Sequence, residues 1–225
     1  AELAHSLPHS RVPTGVKMTR SRAIAIADTE ARRTQIVDAR SELTMHDLVA
    51  EEDHVVTLTQ RGYIKRCNPD EWRMQRRGGA GKVGMTTRDE DFVTSLFIAN
   101  THDYILCFSN RGRVYWLKVY EVPQGTRASR GKPIVNLVPL MEHEKITAVL
   151  PVTAFDDDHF VFMATSNGTV KKTALSAFSR PMNKGIIAVT LEDGDFLIGV
   201  ALTDGKQDIM LFSDAGKAMR FAEDE

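Results

Sequence analysis

The sequence has few cysteines, no long apolar run and no strong excess of either charge. Cys67 and Cys107 are the two cysteines among 225 residues, which is too few for a disulfide framework and predicts a reducing compartment. No apolar stretch approaches the ~18 residues of a membrane span, and no signal peptide is visible. The formal net charge is −1 at pH 7. A globally basic nucleic-acid binder is therefore excluded, and any site for a polyanion must come from segregated charge.

The sequence also lacks the usual signatures of catalysis and of metal or nucleotide binding. The seven histidines are scattered, and His102 beside Asp103 is interpreted as a turn residue rather than a general base. Asp156–Asp158 indicates a solvated loop rather than a metal site. Gly79–Gly84 matches G-x-G-x-x-G, but strand-like residues follow it where a dinucleotide fold requires a helix. We predict no catalytic residue, no metal site and no cofactor in this chain.

A glycine-rich basic stretch is the most distinctive feature that is present. Gln75–Lys82 holds three cationic side chains and three glycines, and Arg73 adds a further charge just upstream. Glycine allows the backbone to approach a ligand closely. Arginine and lysine are the usual partners of phosphate, which arginine can bind through two hydrogen bonds at once. The stretch therefore predicts a polyanion as partner.

From Val55 onward the chain repeats, and the repeat predicts the fold. Each unit has an apolar strand, a short turn that ends in glycine, and an alternating strand, as expected for a β-hairpin with glycine in the left-handed region. The turn glycines are spaced by 50, 56 and 48 residues. They are Gly62, Gly112, Gly168 and Gly216. We predict an all-β, propeller-like array of about four four-stranded blades, each with two hairpin strands and two strands leading into the next hairpin.

A second glycine series follows the hairpins in phase. A glycine beside a basic residue lies 19, 19 and 17 residues after the first three hairpin glycines. Strand-like stretches such as Ile134–Leu140 and Ile146–Val152 come next. Because equivalent positions in a repeat occupy equivalent places, we expect the basic loops to share one rim. The predicted rim contains Arg76, Arg77, Lys82, Arg127, Arg130, Lys132, Arg180 and Lys184.

The motifs resemble one known family. Gln75–Gly81 is similar to the gyrase A box, whose usual form is Q-R-R-G-G-K-G. Ile105–Tyr115, Arg130–Leu137 and Phe162–Lys172 also resemble the C-terminal domain of the bacterial DNA gyrase A subunit. The resemblance runs from about Arg32 to the C-terminus. The box favours gyrase over its relative topoisomerase IV, in which the box is usually degenerate.

The resemblance implies a fold and a role. The fold is a β-pinwheel, a propeller-like array that exchanges strands between neighbouring blades. The role is sequence-independent binding of duplex DNA, wrapped around the basic outer rim so that gyrase, an ATP-dependent type IIA topoisomerase, can introduce negative supercoils. ATP and Mg²⁺ belong elsewhere in the full enzyme. The implied partners are double-stranded DNA, the rest of the gyrase A subunit, and the gyrase B subunit in a heterotetramer. The implied location is the bacterial cytoplasm at the nucleoid, with no membrane or small-molecule substrate.

The resemblance also implies the site residues. The box contributes Gln75, Arg76, Arg77, Gly78, Gly79, Ala80 and Gly81. The wider rim contributes Arg73, Lys82, Arg127, Arg130, Lys132, Lys171, Lys172, Arg180 and Lys184. One position departs from the family pattern, because Ala80 stands where lysine is usual. This box therefore carries one charge fewer.

The domain organisation follows from the extent of the repeat. We interpret residues 1–30 as an irregular N-terminal segment, either vector-derived or a linker, and residues 31–225 as the DNA-binding β-pinwheel. The family usually has about six blades, so we expect a C-terminally truncated, open ring. One alternative is a protein-interaction propeller similar to the chromosome-condensation-regulator repeats, which predicts exposed aromatic residues and no recurrent basic loop. Another is a propeller enzyme, which needs acids and histidines converging on a central channel.

Overall fold

The structure is a computed structural model that describes residues 45–72, 77–78, 81, 84–87 and 91–224. Residues 1–30 lie outside this range, so their interpretation stays a prediction. Within it, helix is limited to one α-helical turn, α1 (Met45–Leu48), and short 3₁₀ turns. The strands are β1 (Asp53–Thr59), β2 (Tyr63–Cys67), β3 (Val93–Asn100), β4 (Tyr104–Ser109), β5 (Arg113–Lys118), β6 (Lys132–Pro133), β7 (Ile146–Val152), β8 (Phe160–Thr165), β9 (Val170–Ala174), β10 (Ile186–Ile187), β11 (Leu197–Thr203), β12 (Asp208–Phe212) and β13 (Ala218–Ala222).

The four predicted hairpins are confirmed. Strands β1–β2, β4–β5, β8–β9 and β12–β13 each pair antiparallel. The turn glycines all have positive φ, at 80°, 72°, 86° and 75° in chain order. A side chain rarely adopts this conformation, which explains why each turn ends in glycine.

The sheets exchange strands between successive repeats. Sheet 1 has the order β3-β1-β2-β6, and β6 comes from the segment after the second hairpin. Sheet 2 has the order β10-β5-β4-β7, and β10 comes from the segment after the third hairpin. Sheet 3 is β11-β8-β9, and β12-β13 form a two-stranded sheet. The expected β-pinwheel is confirmed, but the predicted origin of the strands is corrected. The fourth strand of a sheet is supplied by the next repeat.

The predicted strand Ile134–Leu140 is wrong. The structure places only Lys132–Pro133 in β6, and Ile134–Asn136 forms a 3₁₀ turn. The partner of Pro133 is Tyr63, the first residue of β2, and the Ile134 N–H donates to the Gly62 carbonyl at 2.8 Å, so the pairing ends at the hairpin turn. The next residues then point Ile134 and Val138 into the core, because a helical spacing of four places both on one face.

Strand β4 packs into two cores at once. Its side chains alternate, so Ile105 and Cys107 enter the core shared with sheet 1. Leu106 and Phe108 enter the core shared with sheet 3. This period of two is the pattern of a strand buried on both faces. The junctions of sheet 2 with sheet 1 and with sheet 3 therefore each have their own apolar core.

Acidic side chains accept hydrogen bonds from two hairpin turns, Asp91 from the first and Asp195 from the third, and Asp195 is the more enclosed of the two. Its Oδ1 accepts hydrogen bonds from the Ser166 hydroxyl at 2.7 Å and the Asn167 N–H at 3.0 Å. Thr165 and the Phe196 N–H are further donors to it. Burial alone would raise the pKa of Asp195, but these hydrogen bonds favour the carboxylate and lower the pKa to about 2.

The depressed pKa of Asp195 predicts an acid-sensitive third hairpin. The stabilisation is complete above pH ~4, the pKa of an unfolded aspartate, and is lost as the pH falls through about 2. We expect the free energy of unfolding of Asp195→Asn, measured by urea titration, to change less than that of the wild type between pH 4 and pH 2. Asp193→Asn, an exposed neighbour, should retain the wild-type profile. Parallel profiles for wild type and Asp195→Asn would contradict this role.

Candidate nucleic-acid interface

Two loops rich in basic residues precede the exchanged strands. We call residues 126–131, before β6, the first basic loop, and residues 180–185, before β10, the second basic loop. Both β6 and β10 are edge strands of their sheets. Each pairs with the second strand of the hairpin one repeat earlier, β6 with β2 and β10 with β5, as in Ile64 with Lys132 and Val114 with Ile186. The two basic loops therefore occupy equivalent positions at successive sheet junctions, as the repeat predicted.

The second glycine series marks the close approach of these loops to the preceding sheet. Gly131 and Gly185 have φ of 78° and 66°. A Cβ at Gly185 would lie 2.7 Å from the Tyr115 ring and from the Val114 carbonyl oxygen, and one at Gly131 would collide with the Ile64 carbonyl. These glycines are needed for strand exchange. Gly81, which the spacing aligned with them, is exposed and approaches nothing within 4 Å among the described residues.

The first basic loop is anchored by a buried lysine that the sequence analysis did not identify as functional. The Lys65 ammonium donates to the carbonyls of Thr126 and Ser129, each at 2.9 Å, and to that of Arg127. Lys65 is 0% exposed, and burial lowers its pKa. A signal was present, since Lys171 also lies three residues after a hairpin glycine.

The second basic loop is anchored by a different side chain. The Arg113 guanidinium donates to the carbonyls of Lys184 at 2.7 Å and Gly185 at 3.2 Å. The Lys171 ammonium donates to the Ala188 carbonyl at 2.7 Å, just beyond β10. Backbone carbonyls thus face the preceding sheet in both loops. The exposed basic side chains of the loops are left on the outer side.

The predicted rim cations differ in how freely they can meet a ligand. Lys132, Arg180 and Lys184 are exposed and form no ion pair within the described part of the chain. Arg127 and Arg130 are half-buried, and the Arg130 guanidinium carbon lies 5.7 Å from the centre of the Tyr63 ring. The three exposed cations are therefore the most accessible, and Arg127 and Arg130 are held in defined positions.

Lys171 and Lys172 do not lie together. They are successive residues of β9, so their side chains leave opposite faces of the sheet. The Lys172 ammonium lies 3.8 Å from Glu223 Oε1 and 4.4 Å from the centre of the Phe160 ring. The charge of Lys172 is therefore paired within the protein. Lys171 is exposed, and its ammonium contacts the backbone next to β10. Of this predicted pair, Lys171 is the one available to a surface.

The gyrase A box is described only in part. Arg77 and Gly78 are exposed, and Gly78 has φ of 81°. Gly81 is also described, and the remaining predicted box and neighbouring residues lie outside the described residues: Arg73, Gln75, Arg76, Gly79, Ala80 and Lys82.

Both flanks of the box contact the first basic loop. Glu71 Oε2, on the upstream side, accepts a hydrogen bond from the Arg127 N–H at 2.5 Å. Thr86, on the downstream side, donates its N–H to the Ala128 carbonyl at 3.0 Å, and its hydroxyl donates to the same oxygen. The residues on either side of the box are thus both hydrogen-bonded to the first basic loop.

The described residues give no support for a metal site, a reactive cysteine or a membrane-spanning helix. They contain no cluster of three histidine, cysteine, aspartate or glutamate side chains that could hold a metal ion. The Cys107 thiol is buried, and burial raises its pKa to about 12, which keeps it protonated. In the same ranges, every helix is too short or too polar to cross a membrane.

Comparison with known proteins agrees with the repeat. A family model described as "DNA gyrase C-terminal domain, beta-propeller" matches residues 53–100, 103–153, 159–204 and 207–225. Each matched segment holds one hairpin, and together they cover most of the chain. The chain belongs to the DNA gyrase C-terminal domain family. The family predicted from Gln75–Gly81 and the hairpins is confirmed.

The matched relatives are longer proteins than this chain. The chain is 55% identical over 192 residues to the DNA gyrase A subunit of Haemophilus influenzae, which covers 85% of this chain and 22% of the relative. It is 53% identical over 194 residues to the DNA gyrase A subunit of Escherichia coli, covering 86% of this chain and 22% of the relative. The chain therefore spans about a fifth of the length of the curated relatives it matches.

Solved structures of the family share the fold. One titled "Crystal structure of the C-terminal domain of DNA topoisomerase IV" superposes with a TM-score of 0.67 at 30% identity, covering 78% of this chain and 53% of that one. Another titled "Structure of DNA gyrase A C-terminal domain" superposes with a TM-score of 0.58 at 27% identity, covering 76% and 55%. The gyrase C-terminal domain family and its topoisomerase IV counterpart are thus alike in fold.

Proposed function

We propose that this chain binds duplex DNA without sequence preference and wraps it along the outer edges of its sheets. One observation carries the proposal. Lys132 lies on the edge strand of sheet 1, and Arg180 and Lys184 lie in the loop leading to the edge strand of sheet 2, all exposed and without ion-pair partners among the described residues. Repeated cations along one edge match the spaced phosphates of a DNA backbone.

The energetics favour wrapping only if several such contacts act together. Bending 20–30 base pairs of DNA by 40–90° costs on the order of 1–6 kcal/mol. Counterion release at each neutralised phosphate must offset that cost. Basic loops at successive sheet junctions would let such contacts accumulate as the DNA bends. A chain of net charge −1 can bind in this way because its cations are segregated.

In the full protein, this role would serve DNA gyrase. We propose that the chain is part of the gyrase A subunit, that it assembles with the gyrase B subunit in a heterotetramer in the bacterial cytoplasm, and that the wrap supports negative supercoiling driven by ATP elsewhere in the enzyme. Membership of the DNA gyrase C-terminal domain family supports this assignment. A protein-interaction propeller is disfavoured, since it does not predict recurrent basic loops on edge strands.

A plasmid topology assay tests wrapping. Relaxed plasmid is incubated with the chain, re-closed by a topoisomerase and resolved by gel electrophoresis. We expect a shift in linking number that increases with protein. Arg76→Ala, Arg77→Ala and Lys82→Ala together should reduce that shift at least twofold, and more than they reduce gel-shift affinity, because the box is proposed to close the wrap.

The control and the contrary outcomes separate binding from wrapping. Lys206→Ala, Lys217→Ala and Lys145→Ala remove three exposed charges outside the box and basic loops and should leave the shift unchanged. If the wild type binds DNA without any shift in linking number, wrapping is wrong and binding remains. If the box variant shifts linking number as the wild type does, the box has no special role.

A further inference from the structure

Lys65 lies where no ligand can reach it. The residue is 0% exposed, so its ammonium cannot neutralise a phosphate itself. A buried, unpaired cation is costly unless hydrogen bonds satisfy its donors. Its partners are three backbone carbonyls, those of Thr126, Arg127 and Ser129. The charge therefore fixes the path of the first basic loop.

Two further contacts hold the same loop from the side of the box. Glu71 accepts the Arg127 N–H, and Thr86 donates to the Ala128 carbonyl. The four carbonyls of residues 126–129 and the Arg127 N–H therefore all form hydrogen bonds, to Lys65 of sheet 1 or to the residues that flank the box. With the backbone held on this side, the Arg130 guanidinium is positioned over the Tyr63 ring.

We propose that Lys65 is a positioning residue for DNA binding, which makes the first basic loop a preformed phosphate-binding surface. This inference rests on the proposed function. Ordering a loop before binding removes the entropic cost of ordering it during binding. Lys65 acts through Arg127 and Arg130, which contact the phosphates.

The test is the salt dependence of duplex-DNA affinity for the full chain, measured by fluorescence anisotropy. Each phosphate contact contributes about −0.9 to the log–log slope. Lys65→Met keeps the length of the side chain but removes its charge and donors. We expect the slope to decrease in magnitude by up to about 1.8, the value for two lost contacts, although the mutated side chain is buried.

A double-mutant cycle with Arg130→Gln distinguishes positioning from a general structural role. Arg130→Gln alone should reduce the slope by about 0.9, and in the Lys65→Met background it should have little further effect. Additive changes would overturn the inference. Lys118→Met is the matched control. The Lys118 ammonium also donates to a backbone carbonyl, that of His102 at 2.6 Å, but this contact lies outside the two basic loops. This variant should keep the wild-type slope.

A second variant keeps the inference testable if Lys65→Met does not fold, as judged by circular dichroism. Glu71→Ala removes the half-buried acceptor of the Arg127 N–H and should also reduce the slope. An unchanged slope in every folded variant would overturn the inference while leaving DNA binding intact. A wild-type slope near zero would overturn the proposed function itself.

Discussion

The affinity of this chain for duplex DNA should fall about a thousandfold when monovalent salt is raised from 50 to 200 mM. About six phosphate contacts would give a log–log slope near −5, because each neutralised phosphate releases counterions. The structure describes six basic side chains in the box, the two basic loops and β6: Arg77, Arg127, Arg130, Lys132, Arg180 and Lys184. Affinity should not differ between unrelated duplex sequences, since phosphate contacts carry no base information.

Removing the exposed rim cations should flatten that slope. Lys132→Gln, Arg180→Gln and Lys184→Gln together should reduce its magnitude by about 2.7, or 0.9 for each contact. These side chains are exposed, so we expect stability within about 0.5 kcal/mol of the wild type for each surface substitution. Anisotropy titrations over a salt series measure the slope, and urea unfolding measures stability.

A charge-matched variant decides whether location matters. Lys145→Gln, Lys206→Gln and Lys217→Gln remove the same charge from exposed positions outside the two basic loops. This variant should keep a slope near −5. If both triple variants flatten the slope equally, affinity depends on net charge, and the edge strands have no particular role.

Gly185→Ala should destabilise the fold by about 3 kcal/mol. The left-handed φ of 66° costs an alanine roughly 1–2 kcal/mol. The added Cβ would lie 2.7 Å from the Tyr115 ring and the Val114 carbonyl, and relieving such overpacking costs roughly 1–3 kcal/mol more. Because the collision separates β10 from β5, sheet 2 would lose its edge strand. Urea unfolding followed by circular dichroism measures the change.

Gly168→Ala provides the matched comparison. Gly168 has a φ of 86°, but a Cβ there meets nothing within 4 Å among the described residues. Gly168→Ala should therefore lower the free energy of unfolding only by the cost of the left-handed backbone conformation for alanine, about 1 kcal/mol. Equal losses in the two variants would show that the approach of the second basic loop to Tyr115 adds nothing to stability.

The parts of this fold that could be predicted from sequence are those determined by neighbouring residues. The hairpins follow from strand alternation and a turn glycine such as Gly112, and both signals lie within about ten residues. The exchanged strands could not be predicted from local pattern, since β6 and β10 are two residues long. The resemblance to a known family supplied strand exchange instead.

In the candidate site, too, the features set by neighbouring residues could be predicted from sequence, and those set by contacts between repeats could not. The basic character of the two loops was visible from composition and period, and their equivalent positions before β6 and β10 agree with the repeat. That they share one DNA-binding rim stays a prediction. Gly131 was predicted only as a glycine beside a basic residue, whereas its backbone is constrained by the Ile64 carbonyl in another repeat. Lys65 was missed because its three carbonyl partners lie 61 to 64 residues further along the chain.

Strand exchange also sets an order in time. Sheet 1 receives its edge strand only when Lys132, 68 positions after its partner Ile64, has been synthesised. At roughly 5–20 residues per second, translation of that interval takes several seconds. During that time the edge of β2 has unpaired N–H and C=O groups, which can pair with other chains. Sheets 1 and 2 each take their edge strand from the following repeat. During translation, each of these sheets therefore remains incomplete until the next repeat has been synthesised.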